Sequence, residues 1–310
     1  MTSLICGSLA FDTIMLFRGR FSEALLADQL HKINVAFLVP DIRREFGGCA
    51  GNIAYNLKLL EGEPLIMATI GSDGGPYLER LDRLNIARRC IRTIDSAYTA
   101  QAFITTDADS NQITAFHPGA MTFSHQNRVA DAGNVKLAIV APDGRDGMLQ
   151  HARDCAERGI PFIFDPGQGL PMFNGNELEH FVELATYVAV NDYEAELLTE
   201  RTGLTLDQLA QRVEALIVTR GELGAEIRLS DRRIDIPCVP AAQVVDPTGC
   251  GDAFRAGLLY GLTHDMDWET TGRLASLMGS IKIGFQGGQN HMLSRADIDA
   301  RFEQAFGYRI

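Results

Sequence analysis

Between Asp246 and Phe254 the chain reads Asp-Pro-Thr-Gly-Cys-Gly-Asp-Ala-Phe. The apolar run Ala241 to Val245 before it predicts a short strand. Pro247 stops that strand, and Thr248-Gly249-Cys250-Gly251 predicts a tight turn into a helix carrying Ala253, Phe254, Leu258, Leu259 and Leu262. A strand, a turn of small residues and a helix aim several free backbone N–H groups at one spot. Gly249 and Gly251 permit the φ values of such a nest and let a ligand oxygen come close. The group that suits it is an anion, above all a phosphoryl group. Asp252, in the first turn, would repel a bound phosphate. It makes chemical sense when it faces a hydroxyl and accepts its proton while the amides hold a transferring phosphoryl group. Read alone, Asp252 is equally well a helix-capping acid.

Four other groups can contribute polar contacts. Asp12 follows a buried strand, Leu4 to Gly7, and ligands of α/β proteins sit beyond the carboxyl ends of strands. A turn aspartate is the plainer reading. Glu45-Phe46-Gly47-Gly48-Cys49-Ala50-Gly51-Asn52 supplies a tight turn and then a helix with Ile53, Leu57 and Leu60 on one face. Asn52 there offers a donor and an acceptor to a hydroxyl. Asn191-Asp192-Tyr193-Glu194 ends a strand and begins a helix, where Glu194 alone reads as a helix acid. Thr219-Arg220-Gly221-Glu222-Leu223-Gly224 is a glycine-containing turn, and Ser276, Gly279 and Ser280 leave a slot on a late helix for a flat ring.

The elements that must position these residues alternate. Leu65 to Ile70, Lys136 to Ala141, Pro161 to Asp165, Tyr187 to Asn191 and Leu216 to Arg220 predict buried strands. Helical patterns lie between them at Tyr77 to Leu84, Gly147 to Arg158, Glu177 to Ala185, Glu194 to Arg201 and Leu206 to Glu214. That alternation predicts a parallel sheet covered on both faces. Ala225 to Leu229 and Arg233 to Cys238 predict a hairpin, and Leu274 to Phe285 a helix. Thr13 to Phe17, Ile33 to Val39, Ala100 to Thr106 and Gln112 to His117 fall outside the alternation and predict a small separate sheet, with a polar helical segment at Ser22 to Lys32.

A formal net charge of −12 over 310 residues argues against a nucleic-acid surface. The six cysteines are scattered without a CxxC pair, so neither a disulfide framework nor a metal knuckle is predicted. Met1 to Cys6 lacks a basic leader pattern, and no apolar run of about 18 residues occurs, so a cytoplasmic protein with no membrane contact is expected.

Asp246 to Phe254 closely resembles the C-terminal signature of the ribokinase-like, or phosphofructokinase-B-type, carbohydrate and nucleoside kinases. Cys250 stands where that family usually has Ala. Gly47 to Asn52 resembles the family's second signature at the usual separation, and Ile70-Gly71-Ser72-Asp73, Asn191 to Glu194 and Thr219 to Gly224 resemble further motifs. The resemblance spans nearly the whole chain. It implies one three-layer α/β/α domain over residues 1–310 with a central, mostly parallel sheet and a small β-sheet lid from residues 13–45 and 98–120. It implies Asp252 as catalytic base and the amides of Gly249, Cys250 and Gly251 as anion hole. Asp12, Gly47, Gly48 and Asn52 would hold substrate hydroxyls. Asn191, Thr219, Gly221, Gly224 and Gly279 would surround ATP, and Glu194 would act on Mg2+ through water. A monovalent cation, K+, held by carbonyls near Asp246 and the loop Gly287-Gly288-Gln289-Asn290, stays an open option.

Asp41 to Gly48 and Phe116 to Ala120 look most like adenosine and nucleoside kinases. Phe37, Phe103 and Phe116 would sandwich a purine, or else form the lid's own core. The reaction this implies moves the γ-phosphoryl of ATP to the 5′-hydroxyl of a nucleoside, adenosine first. A ribokinase- or fructokinase-type sugar kinase is the alternative, and a ligand sensor without turnover is the third. Monomer and homodimer both fit.

Overall fold

The apolar runs become the strands of two sheets in the computed structural model, which describes residues 1–24, 34–109 and 111–310. In chain order the strands are β1 (Thr2–Cys6), β2 (Ala10–Leu16), β3 (Asp41–Gly47), β4 (Glu63–Gly71), β5 (Ala87–Ile94), β6 (Ala100–Thr106), β7 (Gln112–His117), β8 (Leu137–Val140), β9 (Phe162–Phe164), β10 (Tyr187–Asn191), β11 (Ala215–Thr219), β12 (Ala225–Arg228) and β13 (Arg233–Ile236). The helices are α1 (Phe21–Ala24), α2 (Cys49–Leu59), α3 (Gly75–Arg83), α4 (Arg145–Glu157), α5 (Gly175–Leu184), α6 (Asp192–Thr202), α7 (Leu206–Ala210), α8 (Cys250–Thr263), α9 (Trp268–Ile283) and α10 (Arg295–Phe306).

The large sheet runs β13-β12-β11-β10-β9-β8-β1-β4-β5. It is parallel from β11 to β5, and the hairpin β12–β13 closes one edge antiparallel. Successive side chains of a strand point to opposite faces, and the core divides accordingly. Ile5, Ile66, Ile139 and Ile217 pack against α2, α3, α8, α9 and α10. Leu4, Cys6, Met67, Val140 and Leu216 pack against α4, α5, α6 and α7. This is the three-layer architecture that the alternation of strands and helices implies. Among the described residues no helix is long and apolar enough to cross a membrane.

The small sheet runs β3-β2-β6-β7. Its second strand differs from expectation: Asn34 to Val39 forms no strand, and the chain pairs Asp41–Gly47 with β2 instead. Ile33, and the expected helix beyond Ala24 up to Lys32, lie outside the described residues. The alternation of β3 is masked in the sequence by Arg43, Arg44 and Glu45, which are charged on both faces. β5 carries Arg88, Arg89 and Arg92 and is an edge strand with one exposed face, a placement that hydrophobicity does not mark. The helix expected over Leu206 to Glu214 stops at Ala210, because the N–H of Glu214 already donates to Thr186 O beside β11.

The strand expected at Ala241 to Val245 does not form. Val244 and Val245 are 76% and 48% exposed. β13 has already closed that edge of the sheet, so the N–H groups of Val245 and Asp246 donate to Ile283 O at the end of α9.

α8 and α9 cross closely because Gly257 faces Ala275. A Cβ at Gly257 would lie 2.4 Å from Ala275 Cα. Gly257→Ala is therefore expected to cost about 1–3 kcal/mol, outweighing the roughly 1 kcal/mol that alanine gains in helix propensity. The urea midpoint of the variant reads this directly. An unchanged midpoint would show that the helices separate freely.

Candidate active site

The carboxyl ends of the parallel strands collect polar residues. Asp143 follows β8, Asp165 follows β9, Asn191 ends β10 and Thr219 ends β11. α8 begins above them. Gly249 is its N-cap with φ +79°, in the left-handed region where glycine is at ease. The N–H of Cys250 is not free, because it donates to Pro247 O within the turn at 3.1 Å. Among the described residues, the N–H groups of Gly249, Gly251 and Asp252 meet no acceptor within the chain. Gly251 is exposed, and a Cβ there would meet nothing. The end of α8 thus leaves the amides of Gly249, Gly251 and Asp252 free, the arrangement in which a helix start can receive an anion, while the Cys250 amide of the expected set is engaged within the turn.

Asp252 is held by a residue 200 positions earlier. Its Oδ2 accepts from Asn52 Nδ2 at 2.8 Å. Asn52 is 4% exposed, and its Oδ1 accepts from Gln289 Nε2 at 3.1 Å. Gln289 Nε2 also donates to the Tyr77 hydroxyl at 2.8 Å, and that hydroxyl donates to Gly47 O at 2.7 Å. Arg80 donates to the side-chain and main-chain oxygens of Gln289 at 3.3 and 2.6 Å. The chain of bonds fixes the orientation of the Asn52 amide, because every partner on its far side is itself committed.

Burial pushes the Asp252 carboxyl from its ordinary 3.8 up to about 6; the Asn52 donor pulls it down, Asp165 pushes it up and Arg255 pulls it down. Arg255 lies one turn along α8. It is 4% exposed and donates to Asp165 Oδ1 and Ala189 O, both at 3.1 Å. Burial likewise raises Asp143 to about 8.

Asp12 sits on β2, in the small sheet, rather than at the end of β1. Burial, then Glu45 and Asp246, raise it to about 6. Gly47 makes the room for it: a Cβ on Gly47 would stand 2.3 Å from Asp12 Oδ2. Gly48 has φ +85°, and a Cβ there would lie 2.5 Å from Ser8 O. Asp12 pairs with Ala102, and Ala102 with Phe116, so Asp12 and Phe116 share one face of the small sheet. Phe116 is 53% exposed on it. Phe103 pairs with Thr13 and points to the opposite face, beside Arg44. Phe37 packs on Phe17 and Phe21 at 4.8 and 5.1 Å between ring centres. The aromatic sandwich expected of Phe37, Phe103 and Phe116 is therefore not assembled. Phe37 belongs to an aromatic cluster with Phe17 and Phe21 just beyond the end of β2, and Phe116 alone stands with Asp12.

Asn191 and Glu194 form a reciprocal capping box at α6: Glu194 N donates to Asn191 Oδ1 at 2.7 Å, and Asn191 N to Glu194 Oε2 at 2.8 Å. Burial and then Asp165 raise the Glu194 carboxyl, and Arg255 pulls it down. Thr219 Oγ1 donates to Val190 O at 3.4 Å. Gly221 has φ +55° in open space, while a Cβ on Gly224 would stand 2.1 Å from Ile236 O. Gly279 lies on α9 with only Cys250 O near its missing Cβ, at 3.5 Å. Among the described residues no group of three His, Cys, Asp or Glu side chains is placed to hold a metal ion.

The model of the pfkB family of carbohydrate kinases matches residues 9–295. The chain belongs to that family. It is 59% identical to Burkholderia thailandensis nucleoside kinase, whose structure was solved in complex with inosine, with 99% of each chain covered and a TM-score of 0.91. The same enzyme in complex with ADP-inosine matches at 60% identity, a TM-score of 0.88, and 99% of this chain and 97% of that one. Methanocaldococcus jannaschii nucleoside kinase is 30% identical over 87% of this chain and 90% of its own length.

In this pfkB kinase several polar residues of the site escape sequence reasoning. Tyr77 and Arg80 lie on α3, where nothing in the local pattern marks them, and Gln289 lies in a loop that the sequence singled out only for its carbonyls. Asp165 carries the signal that singled out Asp12, a polar residue just past a buried strand, and Arg255 is its partner one helical turn from Asp252.

The network predicts the titration of Asp252. A 13C carboxyl NMR titration, assigned by its loss in Asp252→Asn, is expected to show a midpoint near pH 6. Asn52→Leu removes the donor that favours the charged form, so the midpoint should rise. A midpoint that stays or falls would mean that the Asn52 bond does not set it.

Proposed function

We propose that this protein is an ATP-dependent nucleoside kinase that phosphorylates the 5′-hydroxyl of a purine nucleoside. The observation that carries the reading is the likeness over nearly the whole length to a nucleoside kinase captured with inosine. The placement of Asp252 against the free amides of α8 supports it chemically.

In this reading Asp12 accepts hydrogen bonds from the two ribose hydroxyls, in the room that Gly47 leaves. Phe116 offers its exposed ring to the base from the same face of the small sheet. The small sheet acts as a lid, and its closure excludes water from the transfer site. Asn52 holds Asp252 so that its other oxygen faces the 5′-hydroxyl. Asp252 takes that proton as the oxygen bonds to the γ-phosphorus, the bond to the bridging oxygen breaks, and ADP leaves. The amides of Gly249, Gly251 and Asp252 stabilise the charge on the transferring group. The free amides fit a phosphate. Thr219, Gly221 and Gly224 would border the donor's phosphates and ribose, Asn191 would lie beside them, and Gly279 would leave the slot for its adenine. Mg2+ arriving with the donor would neutralise phosphate charge, with Glu194, half committed to its capping box, reaching it through water.

Turnover with ATP and Mg2+ is measured on inosine, adenosine, guanosine, cytidine, ribose and fructose, with identification of product. The expected result is a nucleoside 5′-monophosphate at a kcat/KM at least about a hundredfold above that of any free sugar. Phosphorylation of ribose or fructose alone would replace the nucleoside assignment by a sugar kinase. Tight binding with no turnover of any acceptor would make the protein a sensor.

A further inference from the structure

Lys282 is 0% exposed, in the last turn of α9. Its Nζ donates to two backbone carbonyls, Asp246 O at 2.6 Å and Phe285 O at 3.1 Å. Among the described residues no carboxylate lies within ion-pair distance of it. A buried ammonium without a carboxylate is costly, and methionine or leucine would fill the same space without that cost. Carbonyl oxygens and the carbonyl end of a helix are what compensate it.

The two carbonyls belong to the two loops on which the site depends. Asp246 opens the turn to Gly249. Its carboxylate accepts from Thr248 N at 2.9 Å and from Gly287 N at 2.8 Å. Val245 N and Asp246 N both donate to Ile283 O. Phe285 opens the other loop, which places Gly288 under Gly249 and Gln289 against Asn52. A knot of inward-facing carbonyls joining two loops is the environment that holds an alkali cation, oxygen ligands around a single positive charge. Here the chain fills it with an amine.

We infer that Lys282 is a built-in monovalent cation, a positioning residue whose ammonium ties the Asp246 and Phe285 loops together and fixes the anion-binding amides of α8 without a cation from solution. Its positive charge is also close enough to act on Cys250 and Asp252 in the first turn of α8. The K+ requirement left open by the sequence is thereby removed in this chain. The activity readout rests on the kinase reading above, but the thermal readout does not.

The test compares wild type and Lys282→Ala in choline, Na+, K+ and NH4+ chlorides at equal ionic strength. Wild type should turn over its best acceptor at the same rate in all four and keep one melting temperature. Lys282→Ala opens an ammonium-sized space. Its kcat should fall about a hundredfold, the scale of a lost anion-hole donor, while the KM for the acceptor changes little. NH4+ or K+ should restore part of that kcat and raise its melting temperature, and choline should do neither. Stimulation of wild type several-fold by K+ would overturn the inference, as would a Lys282→Ala enzyme that keeps full kcat in choline or loses it with no recovery in either cation. If the variant does not fold, the wild-type comparison decides alone. If no acceptor is phosphorylated, the kinase reading falls and the melting temperatures decide.

Discussion

Asp252 can serve as a base only if its carboxylate is buried, aimed and still able to ionise near neutral pH, and one hydrogen bond meets these conditions together. Asn52 donates to it from the first turn of α2, which packs beside α8 on one face of the large sheet. Burial pushes the acid up, the amide donor offsets part of that push, and the carboxyl stands at about 6. The bond in turn depends on the rest of the structure. Gln289 holds the far end of Asn52, Tyr77 and Arg80 hold Gln289, and Tyr77 is anchored on the backbone of Gly47, the residue that makes room for Asp12. Asp12 and Asp252 are therefore linked through one continuous chain of hydrogen bonds and packing.

Charge is arranged around that frame with the same economy. Asp143, Asp165, Glu194 and Asp252 gather at the carboxyl ends of the strands; burial raises Asp143, Glu194 and Asp252, and the charge of Asp165 adds to the push on the last two. Arg255, buried between Asp165 and the backbone of β10, and Lys282, buried between two carbonyls, are the compensating cations. The free amides of α8 are left without a partner in the chain, and in the proposed reading an anionic ligand would complete the balance. A net charge of −12 is no obstacle to binding a polyphosphate when the local field is set this way.

Much of this was legible in the sequence, and for physical reasons. Parallel strands buried on both faces read as continuous apolar runs, so β4, β8, β10 and β11 stand out, and the glycine turn before α8 announces itself through residues that no other geometry needs. What escaped depends on the neighbours. The run Ala241 to Val245 looks like a strand, yet it meets no free sheet edge. β3 and β5 are strands dressed in arginine. Phe103 and Phe116 are both aromatic residues of the small sheet, and only the pairing register separates the face that carries Asp12 from the other one, while Phe37 lies outside the strands altogether. The Asn52–Gln289–Tyr77 relay joins segments more than two hundred positions apart, and no local pattern can reveal such a contact.

The claim on which everything else rests is that Asp252 accepts the proton and does not merely hold the substrate. Asp252→Asn keeps the shape and the amide contact to Asn52's neighbourhood while removing the base. Nucleoside affinity by calorimetry and the single-turnover rate with saturating ATP, measured on the same preparation, separate the two roles. Affinity within a few-fold of wild type, with the transfer rate lowered by about 10²–10⁴, is the predicted result. A variant that binds equally well and transfers at the wild-type rate would contradict it and send the search for the base to another residue of the site.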